Sequence, residues 1–355
     1  VYLGRGQESQ DDYYVGGRNI PWWAVGISTM ATQTSAVGFI SVPAFVALAE
    51  DGGLTYLQNE LAVPLAMIAI MIFLIPLFRR LELISIFEYL ERRFGPGTRN
   101  LLAAVFLISR GLATGIGVYA AAIVLAVCFG ADEWVMILVS GIITVIYDTI
   151  GGMKAVVYSD VIQMVILIGG LLACIGYALN GVGGWEAAVA ALEEHDPGRM
   201  VALDMSLGLT EESKYPFWGF MVGGLFLYMS YYGCDQSQVQ RELSAPTLAA
   251  TKYSLVFNGF ARLPLMLAYC ALGIAVGAAV VGDAELMQMI PEDNVDRMVP
   301  VFVLQSLPHG LKALIFAAIL AAAMSSLDSA LNSLSASTMQ DFVERYLARD
   351  TKISY

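Results

Sequence analysis

Long apolar runs recur along this 355-residue chain, and they constrain its fold more than any other feature. Hydrophobic residues make up 57% of the sequence and charged residues only 14%. About 20 mainly apolar residues cross a bilayer as a helix, and lipid offers no partner for free backbone polar groups. We therefore predict an all-α integral membrane protein. Its eight candidate spans are about 22–46, 54–77, 101–129, 134–150, 156–179, 217–233, 253–281 and 311–334.

Basic residues in the loops predict which side of the membrane each loop occupies, because short loops rich in Lys and Arg stay in the cytoplasm. Loops on one side contain Arg79, Arg80, Arg92, Arg93, Arg99, Lys154, Arg241, Lys252, Arg345, Arg349 and Lys352. Loops on the other side are mainly acidic and contain Glu50, Asp51, Asp132, Glu133, Glu193, Glu194, Asp196, Glu211, Glu212, Asp283, Glu292 and Asp293, against Arg199, Lys214 and Arg297. We predict a multi-pass protein of the plasma or inner membrane with both ends of this sequence cytoplasmic.

The composition also excludes several functional classes. The net charge is −12, whereas binding of nucleic acid requires a basic patch. The sequence has no GxxxxGK[ST] phosphate loop and no GxSxG nucleophile elbow, and its four cysteines lack CxxC spacing. We predict no enzyme activity, no organic cofactor, no nucleic-acid partner and no obligatory protein partner. The expected partners are the lipid bilayer and a small-molecule solute.

The first span has a polar interruption at its middle, between Ala31 and Gly38. Hydroxylated, β-branched and glycine residues there weaken a helix and offer competing hydrogen bonds. Broken backbone at membrane depth is tolerated where it is buried in protein or lines a cavity, and transporters use such breaks to bind ions. The pattern predicts a broken helix; a seam of small residues between packed helices is the alternative.

The last span carries hydroxyls and one carboxylate between Ala322 and Ser329. A charge at the bilayer centre is costly and usually faces a cavity, a partner or an ion. Ala322, Ser325 and Ser326 stand at i, i+3 and i+4 and so share one helix face. Several oxygen ligands suit a hard cation. In the alternative interpretation, the serines simply bond to carbonyls one turn earlier.

The sixth span ends in a tyrosine-rich stretch, Tyr228, Tyr231 and Tyr232, that passes into a polar strip. Two interpretations compete: an aromatic belt at the membrane interface, or a substrate site that uses the ring faces and hydroxyls. Asp235 and Arg241 in the strip are predicted to form an ion pair that fixes the inner end of the helix.

Several motifs, in order, resemble those of the sodium:solute symporter family. They are YYVGGR at 13–18, FEYLERRFG at 87–95, GGMKAVVYSD at 151–160, DQ to QR across 235–241 and SSLDSALNS at 325–333. The resemblance implies the leucine-transporter-type inverted repeat of five plus five helices, with helices one and six broken around the substrate. We expect one transmembrane domain over 1–355, with a first repeat at about 20–180 and a partial second repeat at about 214–345. Eight of ten core spans are expected here, so we expect a longer parent protein.

The family resemblance implies Na⁺ as the coupling ion and carries over its ligands. The main sodium site is expected to use carbonyls of Ala31, Thr34 and Ala322 and hydroxyls of Ser325 and Ser326. A second cation site or sodium path is expected at Ser35, Asp160, Asp328 and Ser329, next to Ser325. For Asp328, a neutral state or pairing with Arg110 or Arg262 is the alternative.

For the solute, the resemblance implies a site at Gly38, Glu60, Tyr228, Tyr231 and Tyr232, with Phe39, Gln58 and Ser230 as further candidates. Tyr231 and Glu60 match sugar contacts of the family, whereas Val37 and Gly38 depart from the sugar pattern. We expect a secondary active transporter that couples inward Na⁺ flow to uptake of a sugar, carboxylate or amino-acid-like solute by alternating access. The alternatives are a membrane sensor module of a solute-responsive signalling protein and a passive channel.

Overall fold

A computed structural model describes residues 9–207 and 215–347, and its regular elements in these ranges are helices. This confirms the predicted all-α class. The helices are α1 Gln10–Tyr14, α2 Trp22–Gln33, α3 Ala36–Ala47, α4 Leu57–Glu60, α5 Ala62–Phe73, α6 Ile75–Arg80, α7 Phe87–Phe94, α8 Pro96–Phe129, α9 Glu133–Val182, α10 Trp185–His195, α11 Phe217–Cys234, α12 Gln236–Glu242, α13 Leu248–Val281, α14 Ala284–Gln288, α15 Met298–Ser306 and α16 His309–Ser337. A π-helix, Thr338–Leu347, continues α16. Outside the described residues lie the loop charges Glu211, Glu212, Lys214, Arg349 and Lys352.

Five helical segments of the described chain are long and apolar enough to cross a bilayer. They are Leu54–Arg80, Pro96–Ile123, Asp148–Val182, Leu248–Val281 and His309–Tyr346. The pair α2 and α3 passes the same test when it is counted as one bent span, which gives six. The other two predicted spans correspond to the shorter apolar helix Glu133–Ile146 and to α11. The count of eight therefore stays a prediction.

The first span is broken where its sequence predicted. Helix α2 ends at Gln33, and Thr34 leaves the helical region with φ −89° and ψ 79°. Ser35 then caps α3, because its hydroxyl accepts a hydrogen bond from the Gly38 N–H at 3.3 Å. The two halves meet at an angle of 62°. The break places non-helical backbone inside the protein, as a cavity or ion site requires.

Helix α11, which corresponds to the sixth predicted span, ends at Cys234, and Asp235 separates it from the short helix α12. This residue has the extended angles φ −83° and ψ 127° between α11 and α12. Its carboxylate caps α12 by accepting bonds from the Ser237 N–H at 2.8 Å and from the Ser237 hydroxyl at 2.6 Å. A side-chain cap replaces the backbone partner that the first turn of α12 lacks.

The fourth and fifth predicted spans form one helical stretch, α9, that is interrupted at Gly152. Its φ of 56° and ψ of −166° lie in a region that side chains other than glycine rarely enter. The sequence predicted two separate spans here, and the non-helical Gly152 is the point that divides them.

Helix α13 lies at the centre of the structure and packs against α2, α3, α5 and α9. Among the five single spans it has the largest buried share, 67%. Small residues let its backbone approach its neighbours closely. A Cβ built at Gly273 would lie only 2.7 Å from the Pro43 carbonyl oxygen and 3.0 Å from the Pro43 Cα of α3.

We expect Gly273→Ala to lower the free energy of unfolding by about 1–3 kcal/mol, because the added methyl overpacks the α3 interface. Gly115→Ala is the matched control, since a Cβ at this helical glycine meets nothing within 4 Å. Thermal unfolding in detergent measures both. Equal melting temperatures for the two variants would contradict the close approach of α13 and α3.

A charged cluster joins α7, α8 and the π-helix. The Glu91 carboxylate accepts bonds from Arg99 at 2.8 Å and from Arg345 at 2.6 Å, and Arg99 also donates to Asp341 at 2.7 Å. Hydrogen bonds from Arg345 and then Arg99 lower the pKa of Glu91 from 4.5 to about 2. The ionised carboxylate therefore ties three elements together.

We expect Glu91→Gln to lower the melting temperature at pH 7 and this deficit to shrink as the pH falls from 4.5 towards 2. The sign follows from linkage: a carboxylate with a lowered pKa in the folded state stabilises that state only while it is ionised. Melting curves at pH 7 and pH 3 measure the change, with the exposed Glu292→Gln as control. A deficit that is independent of pH would disprove the role of the ionised group.

Candidate functional site

Oxygen atoms of the α2 break and of α16 converge in the interior. The Ser325 hydroxyl donates to the Ala31 carbonyl at 3.1 Å and to the Ala322 carbonyl at 3.0 Å. The Ser326 hydroxyl lies 3.2 Å from the Thr32 carbonyl and 3.3 Å from that of Ala322. Each hydroxyl therefore bonds back within α16, as the alternative interpretation of the serines expects, and also reaches across to α2. We call these five oxygen atoms the oxygen cluster; all of them are uncharged carbonyl or hydroxyl oxygens.

The position of Thr34 differs from that of the other predicted sodium ligands. Its hydroxyl donates to the Met30 carbonyl at 2.9 Å, and its N–H closes the last turn of α2 on Ala31 at 2.9 Å. Thr32, which the sequence analysis did not select, supplies the carbonyl that Ser326 reaches. Which carbonyls of a broken segment face α16 depends on the path of its backbone. The sequence therefore had no signal for Thr32.

The predicted second cation site contains a guanidinium group. Arg241 is fully buried, its NH2 lies 3.6 Å from Asp160 Oδ2, and NH2 also donates to the Ser329 hydroxyl. Its Nε donates to the Ser28 hydroxyl at 2.9 Å, and Ser28 donates in turn to Asp160 at 2.5 Å. The predicted pairing of Arg241 with Asp235 is therefore wrong. Arg241 brings its own positive charge to Asp160.

The remaining residues of that prediction divide between two places. Asp328 is fully buried, and its Oδ1 accepts a 3.4 Å contact from the Ser329 hydroxyl. Ser35 instead caps α3 and lines a cavity beside the helix break. Arg110 and Arg262, the two suggested partners of Asp328, form ion pairs with Asp235 and Glu60.

A cavity of about 390 Å³ lies beside the broken first helix. It is lined by the α2–α3 break, α8, α11 and α16, and it shares Thr32 and Ser326 with the oxygen cluster. Among its described lining residues, Arg110 is the one charged side chain. The lining residues are Thr32, Gln33, Ser35, Val37, Arg110, Ala113, Thr114, Ile116, Gly117, Val118, Leu227, Tyr228, Tyr231, Ala323, Ser326, Leu327 and Ala330.

Arg110 forms one wall of this cavity from α8. It donates to the Ser237 hydroxyl at 3.0 Å and to the Tyr231 hydroxyl at 3.4 Å, and it lies 3.6 Å from the Asp235 carboxylate. Its guanidinium also lies over the Tyr231 ring, 5.8 Å from the ring centre. The Arg110 Nε, however, has no hydrogen-bond partner among the described residues. One buried donor of Arg110 is therefore unpartnered in this structure.

A buried charge pair stands behind another part of the cavity wall. Arg262 of α13 contacts Glu60 of α4 through Nε at 2.5 Å and through NH2 at 3.1 Å. Its NH1 donates to the Gln33 side-chain oxygen and lies 3.3 Å from the Tyr232 hydroxyl. The Tyr228 hydroxyl donates to Glu60 at 2.9 Å. The structure thus brings three predicted solute residues, Glu60, Tyr228 and Tyr232, into one network.

Other predicted solute residues lie elsewhere. Gly38 lines a second cavity of about 520 Å³ with Tyr56, Tyr215 and Phe220, while Phe39 is fully buried. Gln58 is buried and bonds the backbone of Tyr215 and Asp204. In contrast, Gln33 lines the cavity beside the broken first helix but was not predicted as a solute residue. The signal that would have found Arg110 and Arg262 as wall residues is a basic side chain inside an apolar span, which marks function by default.

Comparison with known proteins gives a consistent set of matches. The sequence profile of the "Sodium:solute symporter family" matches residues 13–352. The human "Sodium/iodide cotransporter" is 31% identical over 342 residues, which cover 96% of this chain and 52% of the relative. The "Sodium/glucose cotransporter" of Vibrio parahaemolyticus is 30% identical over 360 residues, which cover 97% of this chain and 65% of the relative. This chain thus spans about half to two thirds of the length of these relatives.

A solved structure supports the fold in the same way. It is described as "Substrate-bound outward-open state of a Na+-coupled sialic acid symporter reveals a novel Na+-site". It is similar to this chain with a TM-score of 0.87 at 27% sequence identity, and the match covers 98% of this chain and 72% of that chain. Together with the broken first helix, this match confirms the predicted fold class.

Proposed function

Because this chain belongs to the sodium:solute symporter family, we propose that the whole protein couples inward Na⁺ movement to the uptake of a small solute by alternating access. The names of the relatives, a cotransporter and a symporter, describe transport and not catalysis. The sensor alternative gains no support from them. The proposed mechanism needs an ion site, a solute cavity and a contact between the two.

The proposed Na⁺ site consists of carbonyls of Ala31, Thr34 and Ala322 and hydroxyls of Ser325 and Ser326. Ala31, Ala322 and Ser325 are at most 2% exposed, so the ion would lose its water and needs several oxygens in return. When Na⁺ binds, each hydroxyl turns its proton away from the carbonyls and offers a lone pair. Neutral ligands keep the ion weakly held and releasable.

The contact between ion and solute follows from shared residues. Ser326 and Thr32 belong both to the oxygen cluster and to the cavity lining. Na⁺ at the cluster ties α2 to α16 and so fixes one side of the cavity. A ligand can shift a conformational equilibrium only by its difference in affinity for the two states. The break between Gln33 and Ala36 is the element whose arrangement Na⁺ selects.

The solute is proposed to be a small anion, with carboxylates as the main class. The observation that carries this proposal is a cavity whose charged lining residue, among those described, is a cation, and two of whose lining residues hold buried donors without a partner in the described structure, Arg110 Nε and Gln33 Nε2. A buried donor without a partner costs free energy, which a carboxylate acceptor recovers. Iodide and sialic acid, named for two similar proteins, are an anion and an acid; glucose keeps a sugar as the second candidate.

Thermal shift of the purified full-length protein in NaCl and in KCl tests this proposal with lactate, pyruvate, iodide and glucose. A ligand at 100 times its Kd stabilises by about 2.7 kcal/mol. We expect a carboxylate to stabilise the protein in NaCl but not in KCl, and Arg110→Gln to remove the effect. Stabilisation by glucose alone would overturn the anion assignment, and an equal response in KCl would overturn Na⁺ coupling.

The membrane orientation is proposed from the loop charges. The basic loop between Arg79 and Arg99 lies on the cytoplasmic side, and the acidic loops around Asp132 and Glu292 lie outside. A cysteine introduced at Glu292 is then labelled by an impermeant maleimide in intact cells, whereas one at Glu82 is labelled only after permeabilisation.

A further inference from the structure

The Glu60–Arg262 pair lies behind the cavity wall and not in it. Glu60 is fully buried, Arg262 is 6% exposed, and neither is among the described residues that line the cavity. Two contacts, at 2.5 Å and 3.1 Å, fix the guanidinium on the carboxylate. Burying two charges costs desolvation free energy that a purely apolar core would avoid. Removing one partner costs still more, because it leaves an uncompensated buried charge.

The pair determines which way the Gln33 amide points. Arg262 NH1 donates to the Gln33 oxygen, Oε1. A guanidinium has donors only, so it can hold the amide oxygen and would repel the amide NH₂ group. Gln33 lines the cavity, and its Nε2 has no partner among the residues that the structure describes. The amide is thus fixed with its acceptor turned to Arg262 and its donor unused.

The other contacts of the network keep Arg262 in this role. Its NH1 also lies 3.3 Å from the Tyr232 hydroxyl. Its Nε and NH2 both donate hydrogen bonds to the Glu60 carboxylate. The Tyr228 hydroxyl, which belongs to a cavity-lining residue, donates to Glu60 and accepts from Asn59 at 3.0 Å. Both hydroxyl functions of Tyr228 are therefore used inside the wall. Among the described lining residues of the first helix and of α11, the side-chain nitrogen without a partner is Gln33 Nε2.

We propose that Glu60 and Arg262 are positioning residues which hold Gln33 as an obligate hydrogen-bond donor and thereby make the cavity select carboxylates over the corresponding amides. The inference rests on the proposed anion function. Gln33 Nε2 donates a hydrogen bond to one solute oxygen, and Arg110 Nε donates to the other. An amide solute of the same shape presents one acceptor and an NH₂ group, which would face a donor of the protein and leave it unpaired.

The test is the ratio of affinities for matched acid and amide solutes, measured by calorimetry on the full-length protein in NaCl. The probes are lactate with lactamide and pyruvate with pyruvamide. We expect the wild type to prefer the acid by at least about tenfold, since a hydrogen bond to a charged group is worth that much. In Glu60→Gln/Arg262→Gln the pair is neutral and the Gln33 amide is free to turn. The ratio is then expected to fall towards one.

A matched control separates selectivity from stability. Arg99→Gln/Asp341→Asn neutralises another buried ion pair, 2.7 Å long, that lies away from the cavity. We expect this control to lose stability but to keep the wild-type acid to amide ratio. Gln33→Met, whose side chain has no hydrogen-bond donor, is expected to lower the ratio as far as the double neutral variant does.

The possible failures are distinguishable. If the wild type binds neither acid in NaCl, the proposed anion function fails and this inference falls with it. If the wild type binds the acids and the double variant keeps both its Na⁺ response and the wild-type ratio, the positioning role is overturned while the anion function stands. A lower ratio in the control variant as well would reduce the effect to general destabilisation and would also overturn the proposal.

Discussion

Replacing Ser325 and Ser326 together by alanine is expected to weaken Na⁺ binding at least about 100-fold, because two of the oxygens proposed to coordinate the ion are lost. Interactions of a charged group with one polar partner are worth about 1.5–3 kcal/mol each, and 1.4 kcal/mol is tenfold in affinity. Both hydroxyls already reach carbonyls of the broken helix, at 3.1 and 3.2 Å. The dependence of the melting temperature on Na⁺ concentration measures the affinity.

Ser333→Ala is the matched control for this experiment. Ser333 lies on the same helix, is 1% exposed, and donates to the Ala330 carbonyl of its own helix at 2.9 Å. Its loss should leave the Na⁺ response unchanged. If the double variant and the control respond equally to Na⁺, the ion does not bind between the α2 break and α16.

Arg241→Gln is expected to destabilise the folded protein by about 3–5 kcal/mol, because it leaves the fully buried Asp160 without its positive partner. We expect high Na⁺ to recover part of this loss. The vacated place lies between the Asp160 carboxylate and the Ser329 hydroxyl, and Asp160 Oδ1 has no hydrogen-bond partner among the described residues. Na⁺ is small enough and hard enough to take those oxygens.

The measurement is thermal unfolding in NaCl, KCl and choline chloride. Arg80→Gln, at an exposed site, is the control for loss of one arginine. The neutral pair Asp160→Asn/Arg241→Gln is expected to be more stable than Arg241→Gln alone and to gain no more from Na⁺ than the wild type does. Equal stability of Arg241→Gln and Arg80→Gln would contradict the buried pair, and a recovery that does not distinguish Na⁺ from choline would contradict a cation place there.

Local sequence was sufficient to predict the features that depend on a few neighbouring residues. The break after Gln33 follows from hydroxylated and β-branched residues beside glycine, and Ser35 indeed caps the next helix. The i, i+3, i+4 spacing of Ala322, Ser325 and Ser326 predicted one oxygen-rich helix face, and the hydroxyls of Ser325 and Ser326 both reach α2 from it. Helix periodicity fixes such relations without any knowledge of the fold.

Partner choice among buried charges could not be predicted, because it depends on distant elements. Asp235 and Arg241 are six residues apart, but the break at Asp235 turns this carboxylate towards Arg110 of α8, while Arg241 meets Asp160 of α9. Glu60 was predicted as a solute contact, yet it forms an ion pair with Arg262, which lies 202 residues away in the sequence. No spacing rule links such positions.

The cavity proposed to bind the solute shows the same limit at the level of one side chain. Gln33 is a single amide in a polar run, and only the contact with Arg262 decides that its oxygen faces inward. Gly38, by contrast, was predicted to line the solute site and lies instead at the second cavity. Its neighbour Val37 lines both cavities.

The most direct test of Na⁺-coupled anion uptake is transport by the full-length protein in sealed vesicles. Radiolabelled lactate or pyruvate is supplied outside vesicles that contain KCl. The outside solution holds the same concentration of salt, either as NaCl or as KCl. We predict accumulation above the outside concentration only with the inward Na⁺ gradient, and its loss in Ser325→Ala/Ser326→Ala with retention in Ser333→Ala. Equal uptake in KCl, or no accumulation of any anion while glucose accumulates with Na⁺, would contradict this account.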